Sequence, residues 1–285
     1  MRVTSPLSVS IGNSTQELRT AALAVLREAD PKTKCAGAQA LAAAQAQGTL
    51  VLDCQRKLAA PDVPGRPAHP ALVHPARVPR RRIGTLEGRA ALLHAIAHIE
   101  FNAVNLALDA LVRFPGLPET FYTDWLGVAV EEATHFELLV ARLADLGSFY
   151  GALPAHDGLW EAAAKTQHDP LARMALVPRI LEARGLDVTP GLQSRLRAVG
   201  DDESAEVLEI ILRDEVGHVA IGNRWYGFLC SRAGLAPEDT FLDLCRQFGV
   251  RSPQPPFNHP ARIEAGFAAA ELAGLEAFAR SAPRV

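Results

Sequence analysis

Glu132-Ala133-Thr134-His135 and Glu215-Val216-Gly217-His218 decide how this chain is read. Each pair has the i, i+3 spacing that stacks a carboxylate and an imidazole on one side of a helix. Advancing about 100° per residue from Glu132 gathers Trp125, Val128, His135, Phe136, Leu139, Leu143 and Leu146 on its side. The same count around Glu215 gathers Leu208, Ile211, His218, Val219, Gly222, Tyr226 and Leu229. Both ionisable pairs therefore lie on apolar faces that must turn inward. A carboxylate buried there without a partner is expensive, so it marks an ion pair, a hydrogen-bond network or a metal.

Outward from these pairs, the apolar periodicity continues into further helices. Gly84-Thr85 opens a helix over about 86–113, roughly 40 Å long at 1.5 Å per residue. Glu100 shares its face with Leu93, Ile96, Ala97, Val104, Ala107 and Leu111, so its carboxylate also enters the core. His94 and His98 are an i, i+4 pair, but they fall beside Asn102, Asn105 and Asp109; a polar, solvent-facing stripe is expected there, with at most an outer, supporting role. A second helix, about 119–146, carries Glu131 and Glu132. Glu131 shares its flank with Asp124 and Arg142, which leaves Glu132 as the inward carboxylate.

Asp169-Pro170 caps a third helix, with a kink expected at Pro178 and a stop at Gly185. Glu182, on the side of Leu171, Ala175 and Pro178, is its inward carboxylate. A short helix is expected from Thr189-Pro190 to Val199. Gly200-Asp201-Asp202 then caps a fourth long helix, about 202–231, with Glu206 and Glu209 on solvated faces. Gly222, one turn past His218, removes bulk beside the pair or permits a close helix contact. Tyr226 lies nearly three turns from Glu215, too far to be a ligand; it is read as a core or pocket-wall tyrosine, or else as a channel or electron-transfer residue.

Two helices that each give one Glu, and two that each give Glu-x-x-His, match the ligand set of ferritin-like di-iron and di-manganese bundles. The expected architecture is all-α: a ferritin-like four-helix bundle over 85–232, preceded by a helical appendage at 1–60 and an extended arm at 61–84, and followed by a helical extension at 233–285. Ser14 and Glu17 form a capping-box start for a helix to about Arg27, with a second helix at about 31–47. Prolines at 61, 64, 67, 70, 75 and 79 keep the arm extended. Its Arg66, Arg77, Arg80, Arg81 and Arg82, with Arg89 beyond, make it either a solvated wrap or an anion-binding rim. The stretch 147–168, with a short helix at 159–166, supplies the long crossover such bundles need. Helices at about 237–248 and 260–280 complete the chain.

Composition narrows the function classes. In 285 residues, 48% are apolar and the net charge is -3, which supports a sizeable core and gives no general electrostatic attraction to nucleic acid or membranes. Cys35, Cys54, Cys230 and Cys245 are dispersed and form no Cys-x-x-Cys, so a zinc site or a disulfide framework is not indicated and a cytoplasmic location is expected. No secretory leader and no uninterrupted apolar run of the ~18 residues needed to span a bilayer are present, so no membrane association is expected.

The segment Gly84-Thr85-Leu86-Glu87-Gly88-Arg89-Ala90-Ala91-Leu92-Leu93-His94-Ala95-Ile96-Ala97-His98-Ile99-Glu100 resembles a bacterial ferritin-like family known as domain of unknown function 455. The preceding Pro-Gly-Arg-Pro, Glu-Glu-Ala-Thr-His-Phe at 131–136 and Arg-Asp-Glu-Val-Gly-His at 213–218 resemble it too, over about residues 60–260. The resemblance implies a dinuclear metal site. Ile180-Leu181-Glu182-Ala183-Arg184 is further similar to the third-helix ligand segment of tRNA-modifying non-haem di-iron hydroxylases, which supports Glu182 and leaves tRNA open as a substrate.

The expected metal ligands are Glu100, Glu132, His135, Glu182, Glu215 and His218, a set suited to two iron ions, or manganese. Glu132 or Glu215 would bridge, Glu100 and Glu182 would be terminal, and His135 and His218 would each hold one ion. The leading reading is an O2-dependent oxidoreductase or hydroxylase acting on a small molecule with an external reductant, as a monomer or homodimer. The alternative is an iron-binding ferroxidase or storage protein.

Overall fold

Helices dominate the chain because alanine-rich amphipathic runs recur between well-capped ends. The computed structural model describes residues 16–78, 82–249 and 255–281. A two-residue parallel pairing of β1 (Gln16–Glu17) with β2 (Leu50–Val51) is the extent of strand structure among them.

The first helix, α1 (Leu18–Arg27), is capped by Glu17, whose carboxylate accepts from the Arg19 and Thr20 amides. The sequence placed Glu17 inside a helix begun by Ser14, which lies outside the described residues; here Glu17 is itself the cap. Helix α2 (Pro31–Ala46) follows, capped by Asp30. Both pack onto the long helices and share one apolar core with them. Arg19 is fully buried and donates to the carbonyls of Leu111 and Val112 at 2.8 and 2.9 Å, tying α1 to the end of the next long helix. Among its described residues the proline-rich stretch has no helix beyond the short 3-10 turn Pro75–Arg77.

Helix α3 (Leu86–Arg113) starts at Thr85, which accepts from the Gly88 amide, and runs into α4 (Glu119–Asp145) through a turn at 114–118. A connection this short makes the two antiparallel neighbours, packed along their length. By length and composition α3 alone among the described residues could cross a membrane, but 83% of its apolar window is buried within the protein, as expected of a core helix.

The crossover carries α5 (Gly158–Lys165) and leads to α6 (Pro170–Leu176), a π-helical segment at Val177–Glu182, and α7 (Ala183–Arg197). The stop expected at Gly185 does not occur, and helix continues through Pro190. A proline inside a helix orphans the carbonyl four residues earlier. Here that carbonyl, on Leu186, accepts from the Asn258 side chain at 3.0 Å, so the C-terminal region replaces the missing backbone donor.

Helix α8 (Asp202–Ala233) is capped by Asp201 and closed by Gly234 at φ +66°. It packs on α4, α6 and α7. After α9 (Pro237–Gln247), the single last helix expected from the sequence is two, α10 (His259–Glu264) and α11 (Ala269–Ser281). They are separated at Gly266, whose φ of +92° breaks the helical path.

Candidate metal centre

Four elements bring six ionisable side chains into one buried space. Glu100 comes from the middle of α3, Glu132 and His135 from α4, Glu182 from the end of the π segment, and Glu215 and His218 from α8. Glu132, His135 and His218 are fully buried, and Glu100 and Glu215 are buried. Ligand atoms from Glu100, Glu132, His135 and Glu215 lie within 4.8 Å of one another. His218 joins them through Nδ1, 3.0 Å from Glu132 Oε1 and 3.7 Å from Glu215 Oε1. Glu182 faces Glu100 and Glu215 across a shared cavity.

Glu132 is central. Its Oε2 lies 3.4 Å from His135 Nδ1 while its Oε1 approaches His218 Nδ1, so its two oxygens face the two imidazoles separately. That disposition suits a bridging carboxylate.

The imidazoles are oriented alike. Each turns Nδ1 toward the carboxylates and Nε2 outward, His135 to Asp214 Oδ2 at 3.2 Å and His218 to Glu131 Oε2 at 2.7 Å. The arrangement is reciprocal: α8 supplies the outer carboxylate for the α4 histidine, and α4 supplies it for the α8 histidine. An outer carboxylate fixes the tautomer of a ligating histidine and raises its basicity.

Protonation follows from crowding. Burial and the neighbouring Glu132 charge hold the Glu100 carboxyl well above its usual range. Burial and the charges of Glu215 and Glu132 push Glu182 up to about 8, and burial with Glu132 raises Glu215. Burial also acts to raise Glu132, but His218 and His135 outweigh it and hold that carboxyl low. Burial opposes the charged form of His135, yet Glu100 and Glu132 push it up to about 11; the facing carboxylates likewise raise His218. Imidazolium protons thus balance the carboxylates in this state.

Glu100 Oε2, both Glu132 oxygens, Glu182 Oε2, Glu215 Oε2 and both histidine Nδ1 atoms are buried with no hydrogen-bond partner of proper geometry. Buried polar atoms are rarely left so. Orphaned oxygens and imidazole nitrogens aimed at one point fit hard or borderline cations.

The π segment sets where Glu182 stands. A π-turn adds a residue to the helical repeat and re-aims the side chains beyond it. Pro178 in this segment seats against Gly222 of α8, where any Cβ would enter its ring. Gly222 therefore serves a close helix contact. Arg179, also in the segment and almost fully buried, pairs with Glu271 of α11 and stacks over the rings of Tyr226 and Phe241 at 4.2 and 4.5 Å.

Several expectations change. His94 and His98 are buried, not on a solvated stripe: His94 Nε2 accepts from the Gly151 amide at 2.9 Å, and His98 Nδ1 lies 2.9 Å from the Tyr150 hydroxyl. The polar stripe they share with Asn102, Asn105 and Asp109 is an interior network, because the arm and crossover cover that side of α3. Asn105 receives the buried Lys34 amine, and Asp109 binds Arg113 and Arg173. Tyr226, by contrast, is a core tyrosine as first read, buried with its hydroxyl donating to Pro237 O at 2.6 Å. Of the arm's arginines, Arg66 pairs with Asp157 at 2.8 Å, and Arg80 and Arg81 lie outside the described residues. Glu131 and Asp214 were not identified from sequence as part of the site. The signal was present as an acidic residue immediately before each Glu-x-x-His.

The chain is 50% identical over 213 residues to an uncharacterized protein of Haemophilus influenzae, covering 72% of this chain and 74% of that one. No solved structure gives a significant match. Residues 27–273 match the family described as "Protein of unknown function (DUF455)", and the chain belongs to that family.

Proposed function

We propose that α3, α4, the α6–α7 helix and α8 form a ferritin-like bundle around two iron ions, and that the protein is an O2-dependent oxidoreductase, specifically a hydroxylase of a small molecule. The observation that carries this reading is the set of buried donor atoms on Glu100, Glu132, His135, Glu182, Glu215 and His218 that make no hydrogen bond of proper geometry and face one another across one space. The two antiparallel helix pairs joined by one long crossover have the connectivity such bundles use. The four thiols, all free, suit a reducing cytoplasm.

Glu132 would bridge the ions, His135 and Glu100 would complete one end, and His218, Glu215 and Glu182 the other. Bound iron in its reduced state would supply O2 activation at open coordination positions. The remaining work falls to the chain. Asp214 and Glu131 hold the protons on the outer nitrogens of His135 and His218, keeping both Nδ1 atoms available as donors. Apolar walls beside Glu100, Glu182 and Glu215 keep water from the reacting carbon. The overall balance is a C–H group, O2, two electrons from an external electron-donor protein and two protons giving a C–OH group and water.

An iron store needs a polar path for hydrated ions, whereas the cavity reaching these carboxylates is apolar, which favours turnover of an organic substrate. The test is metal content by elemental analysis after growth with iron. His135→Ala and His218→Ala should each lose most of their iron while keeping helical content, and His98→Ala should retain it. Equal loss in all three variants, or no iron in the unaltered protein, refutes the assignment.

A further inference from the structure

Between α3, α7 and α8 a cavity of about 310 Å³ leads from the surface to the carboxylates of Glu100, Glu182 and Glu215. Its walls are aliphatic: Leu92 and Ile96 from α3, Val188 and Leu192 from α7, Leu208 and Ile211 from α8. The one basic lining residue, Arg184, lies 3.6 Å from Asp187 and donates to Pro256 O at 3.3 Å. Above that carboxylate floor the walls offer no charged group but the engaged Arg184, so a phosphate or carboxylate on a ligand would lose its water without gaining a partner. The histidines are on the other side, closed off by Asp214 and Glu131, so a ligand in this space meets the site only through its carboxylate face.

From this geometry we infer that the cavity receives an uncharged aliphatic chain, with one end against Glu100, Glu182 and Glu215. A water occupies about 30 Å³ of liquid and a methylene group is of similar size, so the space holds a chain of roughly ten carbons. The walls give no phosphate contact, which sets this chamber apart from a nucleotide site. Gly185 lines the cavity, and a Cβ there meets nothing within 4 Å, so a side chain can be added at that position without displacing backbone. The word substrate for such a chain rests on the metal reading; the binding itself does not.

The experiment is calorimetric titration of metal-free protein with hexan-1-ol, octan-1-ol, decan-1-ol and dodecan-1-ol. Affinity should rise by about fourfold per added methylene, the equivalent of ~0.8 kcal/mol, until the cavity is filled near ten carbons, and then level off. Gly185→Leu should weaken decan-1-ol at least tenfold and leave hexan-1-ol little changed, with helical content confirmed by circular dichroism. Ala95→Leu, at a half-buried lining position on α3, gives the same test should the first variant fail to fold. Absence of binding by every alcohol, or an identical series in the folded variants, overturns the inference. Alcohol binding by a protein that takes up no iron would sustain the chamber and remove the di-metal function; iron uptake without alcohol binding would do the reverse.

Discussion

Replacing Gly222 by alanine tests whether the π segment positions Glu182. The new Cβ would lie 2.5 Å from Pro178 Cγ, and closer still to its Cβ, where ordinary contact begins at 3.4 Å, so the segment must retreat by about 1 Å. Overpacking of this kind costs ~1–3 kcal/mol, offset by the ~0.5–1 kcal/mol that alanine gains over glycine inside a helix. The expected net loss is about 1 kcal/mol. The effect on the site is larger in proportion, because metal–ligand distances hold to about 0.2 Å and Glu182 is carried on the displaced segment. Binding of the ion nearest Glu182 should weaken by ~10–100-fold, as when a ligand loses its orienting support. Gly227→Ala on the same helix is the control, since nothing lies within 4 Å of its Cβ position; it should be neutral or stabilising and leave metal binding unchanged. Urea midpoints and metal titration of both variants decide the matter. If Gly222→Ala matches Gly227→Ala in both, the coupling of Pro178 to Glu182 is wrong.

Three further outcomes are expected. Asp214→Asn and Glu131→Gln should each lower metal affinity ~10–100-fold with little change in fold, since each removes the outer charge on one histidine; the exposed Glu206→Gln is the control, and equal affinities would contradict the role given to the outer pair. Burial pushes the Lys34 amine down to about 7, so between about pH 7 and pH 10.5 the unfolded chain binds a proton that the folded chain does not. Stability relative to Lys34→Met should therefore rise with pH across that window; parallel unfolding curves at pH 7.5 and 9.5 would show the shift to be absent. Tyr226→Phe should lose about 1 kcal/mol with its hydrogen bond to Pro237 O, while metal content and O2 consumption after reduction stay at the unaltered level; slowed consumption at full metal content would instead assign the hydroxyl to electron transfer.

What could be read in the sequence was what one helix at a time encodes. The faces of α3, α4 and α8 placed Glu100, Glu132, His135, Glu215 and His218 inward because periodicity and burial follow the same 100° step. Two kinds of information escaped. Glu131 lies on the flank of its own helix and was set aside in favour of Glu132, yet its carboxylate reaches a histidine of a different helix, a relation invisible to a single-helix count. Likewise His94 and His98 looked solvent-facing because their stripe is polar, while the arm and crossover that bury it are distant in sequence. The continuation of helix through Gly185 and Pro190 was illegible for the same reason, since the donor that rescues Leu186 O comes from Asn258.

The interior of this protein holds many charges, and the manner of their pairing separates structure from site. Arg173 and Arg113 share Asp109, Arg262 grips Asp187 at 2.9 and 2.7 Å, Arg142 and Arg89 meet on Asp201, and Arg179 meets Glu271. In each, opposite charges meet one to one or two to one, and the pairs pin together segments far apart in the chain. The cluster at the bundle centre is built on the opposite rule. Four carboxylates converge there with two imidazoles, two more carboxylates approach from outside, and among the described residues the arginine that comes nearest in an ion pair, Arg213, meets only the outer Asp214. A chain selecting for stability alone would place apolar side chains at these positions, because like charges gathered out of water cost several kcal/mol unless compensated. Without an ion, protons compensate those charges, on both imidazoles and on the raised carboxyls of Glu100, Glu182 and Glu215. Dications would replace those protons and at the same time give partners to the donor atoms that make no hydrogen bond of proper geometry within the protein.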